Sequence, residues 1–106
     1  MNTNETQWKD ITETTRQTGP IGTVEFQVKQ FGKWTLGYQW VVISIGGAPS
    51  TGLFLYAEKQ GHEAKKRCVF SLKDAIGFFA DLKAPAKGVA VVLNKAAQES
   101  KGGFSK

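Results

Sequence analysis

Hydrophobic and polar residues alternate with a period of two at three places along this chain. Residues 23–31 read TVEFQVKQF, with Val24, Phe26 and Val28 set against Glu25, Gln27 and Lys29. That is the signature of a strand with one buried face. Residues 39–45, QWVVISI, are rich in β-branched side chains and also predict a strand. Its alternation turns Val41, Ile43 and Ile45 to the core and Trp40, Val42 and Ser44 away from it. Residues 52–59, GLFLYAEK, place Leu53, Leu55 and Ala57 inward and Phe54, Tyr56 and Glu58 outward. A fourth strand follows at residues 67–72, with either Val69 or the pair Cys68 and Phe70 inward. Glycine punctuates the connections. Gly32-Lys33 opens a turn with Trp34 and Tyr38 in or beside it, Gly37 breaks the stretch after it, and residues 46–50, GGAPS, form a loop.

The period then changes. Leu72, Ala75, Ile76, Phe79 and Leu82 recur at helical spacing and predict one buried stripe. Ser71 and Asp74 have the spacing of a capping box, so the helix starts there, runs to about Lys83 and stops at Pro85. Residues 88–94, GVAVVLN, predict a short C-terminal strand, possible as a pairing edge for a partner subunit. Residues 1–20 form a polar N-terminal arm closed by Gly19-Pro20. Trp8 and Ile11, three apart, suit a short helix that pins the arm down; a mobile arm is the alternative. The expected organisation is this arm, a single β-rich domain over residues 21–94 and a flexible basic tail over residues 95–106. The expected fold class is α+β, mostly β. It is an antiparallel four-stranded curved sheet followed by one amphipathic helix (β-β-β-β-α), plus the short C-terminal strand. A small OB-like β-barrel is the alternative.

Composition sharpens this in three ways. The chain has 106 residues, 41% hydrophobic and 22% charged, which suits one globular domain and not a disordered segment. Its core is thin for a lone sheet, so a homodimer or higher homo-oligomer is expected. The formal net charge of +5 suits a polyanionic partner. Cys68 is the only cysteine, so no intrachain disulfide forms, which fits a reducing cytoplasm. The N-terminus lacks the apolar core of a signal peptide, and no apolar run approaches the ~20 residues of a membrane span. A cytoplasmic location with no membrane contact is the expectation.

Catalytic chemistry is poorly represented. His62 is the only histidine, and the carboxylates are scattered. One His and one Cys do not make a usual zinc set, and no phosphate-loop motif is present. The chain is expected not to be an enzyme, with no catalytic residue, no metal and no cofactor.

Aromatic and cationic residues, by contrast, interleave at strand spacing. Gln27, Lys29 and Phe31 come from the first strand, Trp40 from the second, and Phe54 and Tyr56 from the third. Lys33, Trp34 and Tyr38 sit near the first turn; Lys59, Lys65, Lys66 and Arg67 cluster around the third connection. Single-stranded nucleic acid needs this mixture. Its unpaired bases stack on aromatic rings for ~1–3 kcal/mol each, and its phosphates need cations. The helix carries Lys73, Asp74, Asp81 and Lys83, without the basic bias of a major-groove reader. In the competing reading Trp40, Phe54 and Tyr56 are a second core face, buried against a dimer mate or the arm.

Residues 23–82 resemble the Whirly-like group: the Whirly proteins, the Pur-type single-strand binders and the transcriptional positive-cofactor coactivators. VEFQVKQFGKWTLGYQWVVISI is similar to their first hairpin. LFLYAEK followed by KKRCVFSLKDAIGFFADL is similar to their strand–loop–strand–helix. The resemblance implies a curved sheet, a dimer, and metal-free binding of single-stranded DNA or RNA. It places stacking and phosphate roles on Lys29, Phe31, Lys33, Trp34, Trp40, Tyr56, Lys59 and Lys65 to Arg67. The likeness stops after the helix, where residues 88–93 and the basic tail have no counterpart.

The resulting expectation is a weakly sequence-selective single-stranded DNA-binding protein, DNA ahead of RNA, of a size that suits a phage or other mobile element. The alternative is a protein-interaction module, a small inhibitor or assembly factor, that uses the same aromatic patch.

Overall fold

Five strands and two helices follow one another in the computed structural model, which describes residues 7–16 and 22–99. They are β1 (Lys9–Thr15), β2 (Gly22–Phe31), β3 (Trp34–Ile45), β4 (Ala48–Lys59), β5 (Lys65–Val69), α1 (Leu72–Asp81) and α2 (Ala86–Glu99). The strands form one antiparallel sheet in the order β1-β2-β3-β4-β5. The expected α+β, mostly β class therefore holds. The sheet has five strands, not four, and it is open, so it is not the closed barrel of the alternative. Gly19-Pro20, the start of the arm, the end of the tail and the Ile45 side chain lie outside the described residues.

Three differences from the expected elements have physical causes. Part of the supposed arm is a strand: β1 pairs with β2 from Lys9↔Val28 to Thr15↔Gly22. Ile11 is its only large apolar residue, so its place is fixed by pairing and not by its own pattern. Residues 88–94 are helical, not a strand. Gly88, Val92 and Ala96 are buried at i, i+4 and i+8, a 3.6-residue period that shows only when the reading runs past Asn94. The expected tail accordingly begins as the last turns of α2. Finally, β3 starts at Trp34 and β4 at Ala48, so the loop after β3 shrinks to Gly46-Gly47. Both glycines have positive φ, 60° and 87°, as a type I′ hairpin turn requires.

The sheet is buried on both sides. On one face Leu36, Tyr38, Leu53, Leu55, Ala57 and Val69 pack against Ala75, Phe78, Phe79, Val92 and Ala96 of the helices. On the other, Val24, Phe26, Val28, Phe54, Tyr56 and Cys68 form a second cluster joined by Ile11, Val41 and Ile43. This second core exists because the sheet rolls toward that face. Phe26 of β2 meets Phe54 and Tyr56 of β4, with ring centroids 5.6 and 5.4 Å apart, across the intervening β3. Gly37 of β3 pairs with Val28 on one side and Tyr56 on the other. A Cβ there would run into Val28 Cγ1 and lie 2.7 Å from Gln27 O, so only glycine lets the neighbouring strands fold together over it. The two sheet edges are then clasped by a side chain. Lys66 Nζ of β5 donates to Glu13 Oε1 at 3.3 Å and to Thr14 O at 3.1 Å, both in β1.

The helix start is as expected: Ser71 Oγ accepts from Asp74 N at 3.1 Å. The stripe is not. Ala75, Phe78 and Phe79 are buried, whereas Leu72 and Ile76 are 55% and 49% exposed. The helix also ends before Pro85. Lys83 N donates to Ala80 O and Ala84 N to Phe79 O, the paired bonds of a Schellman motif. Lys83 holds the left-handed position at φ 62°, usually the place of glycine. We predict that Lys83→Gly stabilises the protein by ~0.5–1 kcal/mol, because it removes the strain on a side-chain-bearing residue. A shift of the urea midpoint to higher concentration at constant slope checks it.

Candidate nucleic-acid interface

The register divides the expected mixed face in two. Phe31↔Trp34↔Lys59 form one cross-strand row, and Lys29↔Leu36↔Ala57↔Lys65 the next. Tyr38, Trp40 and Arg67 belong to this same face. Phe54, Tyr56 and Lys66 lie on the opposite one. Sequence alternation within each strand was insufficient to align them, because the relative register of the strands comes from the ladder and not from the period.

Several of the expected site residues are thereby enclosed. Phe54 and Tyr56 are buried in the second core, partly under β1, the strand formed by the supposed arm. Tyr38 is buried in the first core, its hydroxyl donating to Gln27 Oε1 at 2.9 Å. Burial, then the neighbouring Glu99 carboxylate, pushes the Tyr38 phenol far above its ordinary value. Burial followed by Glu58 does the same to Tyr56, which donates to Glu58 Oε1 at 3.0 Å. Trp40 is half-buried under α2, and its indole N–H donates to Ala96 O at 2.9 Å. Lys66 is occupied by the clasp. Arg67 lines a groove of about 450 Å³ between β5 and α1 together with Lys73, Asp74 and Asp81. The two carboxylates make that groove a poor seat for a polyanion.

The remaining residues come together at one end of the helix-bearing face. Lys59 Nζ stands 5.9 Å from the centre of the half-buried Trp34 ring. Lys65, one row on, is exposed; Lys33, in the adjoining turn, is exposed too but lines a hollow with Gln30, Thr35 and Glu58 of the opposite face. Lys29 and Phe31 are half-buried beside them, and the helix α2 rests on Phe31 and Leu36 at Gly88. Two residues that the sequence reading did not assign to the site complete the set. Trp8, just before β1, has Lys29 Nζ 5.7 Å and Lys95 Nζ 5.3 Å from its ring centre. Its ring meets Tyr38 edge-on at 5.8 Å. A tryptophan in an otherwise polar arm was the available signal; Lys95 had none.

Aromatic and cationic side chains thus share two neighbouring rows, Phe31, Trp34 and Lys59 in one, and Lys29 and Lys65 at the ends of the other, with Trp8 beside Lys29. Carboxylates flank the Trp8 end: Asp10 pairs with Gln27 on the same face, and Glu99 ion-pairs with Lys95 at 3.0 Å; Glu58 points to the other face. Elsewhere, burial raises the pKa of the Cys68 thiol and so disfavours its nucleophilic form. Among the described residues no three His, Cys, Asp or Glu side chains gather to hold a metal ion. No helix is long and apolar enough to cross a membrane.

Comparison with known proteins finds no match: no family model, no curated protein and no solved structure is similar to the chain.

Proposed function

We propose that this protein binds single-stranded nucleic acid, DNA being the first ligand to test, along the two rows from Trp8 to Lys65. One observation carries the reading. Two half-buried tryptophans on the same sheet face, Trp8 and Trp34, each have a lysine ammonium within cation–π reach. A base stacking on Trp34 displaces Lys59 Nζ from the ring toward the adjoining phosphate, so one residue pair serves both parts of a nucleotide. Lys65 extends the phosphate track, and Lys33 stands at its rim in the turn. The Whirly-like resemblance of residues 23–82 points the same way, although the surface proposed here differs from the one it implies, lacking Trp40 and Tyr56.

Titration with oligo(dT) at two salt concentrations, followed by tryptophan fluorescence, tests the proposal. The expected result is quenching at low salt and an affinity that falls steeply as salt rises. Replacing Lys33, Lys59 and Lys65 together with alanine should reduce the log–log salt slope by about 2, at roughly 0.7 per single-strand phosphate contact. Failure to bind at low salt would end this reading. The exposed Leu72 and Ile76 of α1 favour a second one, the protein-interaction module, which predicts a stoichiometric protein complex and no nucleic-acid signal.

A further inference from the structure

The outer parts of β3 and β4 have no ladder partner but each other among the described residues, although Val41 and Ile43 pack against the second core. The β2 ladder on β3 ends at Gln27↔Tyr38, and the β5 ladder on β4 ends at Leu53↔Val69. Beyond Tyr38, β2 swings away, and the last link is a side chain: Gln39 Nε2 donates to Glu25 O at 2.6 Å. Residues 41–52 therefore form a two-stranded ribbon, part of a molecule 48 Å long and only 27 and 25 Å across. Its two strands pair with each other through Ile45↔Ala48.

The edges of this sheet are not equally protected. Unpaired strand edges invite a further strand, and proteins guard them with charge or proline. The β1 edge carries Lys9, Asp10 and Glu13; the β5 edge carries Lys65, Lys66 and Arg67; β4 has Pro49 in the ribbon. Among the described strand edges only the outer β3 edge, residues 41–45, has none of these. No residue from Trp34 to Ala57 is charged. Val42, on the helix-bearing side, is 69% exposed, the most exposed large apolar residue among those described, while Val41 and Ile43 are half-buried on the other side.

We infer that residues 41–45 of β3 pair antiparallel with the same residues of a second copy, making a two-fold dimer through a continuous sheet. The charge distribution selects this occupant. Copies of a chain with net charge +5 repel wherever their charged bodies meet. The ribbon is neutral and projecting, so it joins two copies while holding the bodies at opposite ends. A two-fold axis through an antiparallel pair sets each edge against its own equivalent, which makes the contact self-complementary.

Sedimentation equilibrium of the full chain without nucleic acid tests this independently of the proposed function. The double variant Val42→Lys, Ser44→Lys adds edge charges at two exposed positions that the monomer fold does not use. Dimerisation is expected in the parent chain, weakened by on the order of tenfold or more in the double variant, and unchanged in Ile76→Lys, which marks the exposed face of α1. A monomer at every concentration, or a dimer insensitive to the ribbon charges, overturns the inference. Hydrogen exchange on the unaltered chain gives a check free of any mutation. The amides of residues 41–45 should become more protected as concentration rises, and protection independent of concentration also overturns it.

Discussion

Raising the pH above 10 should unfold this protein cooperatively. Tyr38 and Tyr56 are 0% and 3% exposed, and the folded state raises the pKa of both phenols, first by burial and then by a neighbouring carboxylate. A raised pKa means that the neutral form is favoured in the folded state. The associated stability is complete below the ordinary tyrosine value near 10 and is lost as the pH climbs past it toward the folded value. While both phenols stay protonated in the fold and ionise on unfolding, stability falls by about 1.4 kcal/mol per pH unit for each, or ~2.7 kcal/mol together. Against a typical total of ~5–15 kcal/mol, two pH units are enough to matter. Far-UV circular dichroism across an alkaline titration should show a transition that coincides with tyrosinate absorbance. Tyr38→Phe and Tyr56→Phe should each about halve the slope. Ionisation of both phenols with no loss of structure would contradict the enclosure described above.

The second large effect concerns Phe54. Phe54→Ala should destabilise the protein by about 3–5 kcal/mol, the range for deleting a buried aromatic ring. Its ring is fully enclosed, stands edge-on to Phe26 and belongs to the cluster that fills the rolled face. A cavity there has little means of collapse, because the sheet backbone and the Lys66 clasp bound it. Chemical denaturation should show the loss as a lower midpoint. Exposed Lys33 should be silent in the same assay. The contrast has a practical meaning for binding experiments: a Phe54 or Tyr56 variant that no longer retains nucleic acid reports on folding, whereas the Lys33, Lys59 and Lys65 changes report on the surface. A Phe54→Ala protein as stable as its parent would show that the second core carries no weight.

The period of β2 and the cap at Ser71 were legible in the chain because each depends on neighbours a few residues away. The two-sided core was not. Alternation separates inside from outside only when one face is wet, and residues 53–57, LFLYA, are buried throughout. Reading Phe54 and Tyr56 as outward followed from assuming a single core. Gly37 misled in a related way. It reads as a break, yet its missing side chain permits the roll of the sheet, and Trp34, Leu36, Tyr38 and Trp40 alternate through it on one face. In α2 the valines at 89, 91 and 92 imitate a strand locally, while the burial of Gly88, Val92 and Ala96 follows the helix. For the site, the cations at 33, 59 and 65 were recognisable as a cluster around the turns. Which aromatics share their face depends on cross-strand register, and Trp8 reaches it only through the pairing of β1.

The clasp from Lys66 to Glu13 has a kinetic consequence. Neighbouring strands in this meander are also neighbours in sequence, so the hairpins assemble through short loops at little entropic cost. The clasp joins residues 53 positions apart, and it aligns only after all the intervening strands have taken their places. Contacts that close so late are expected to be absent from the barrier crossed during folding and to break on the way out. Lys66→Ala should therefore raise the unfolding rate in a stopped-flow denaturant series and leave the folding rate nearly unchanged. Contacts of this kind lengthen the lifetime of the folded chain without speeding its formation.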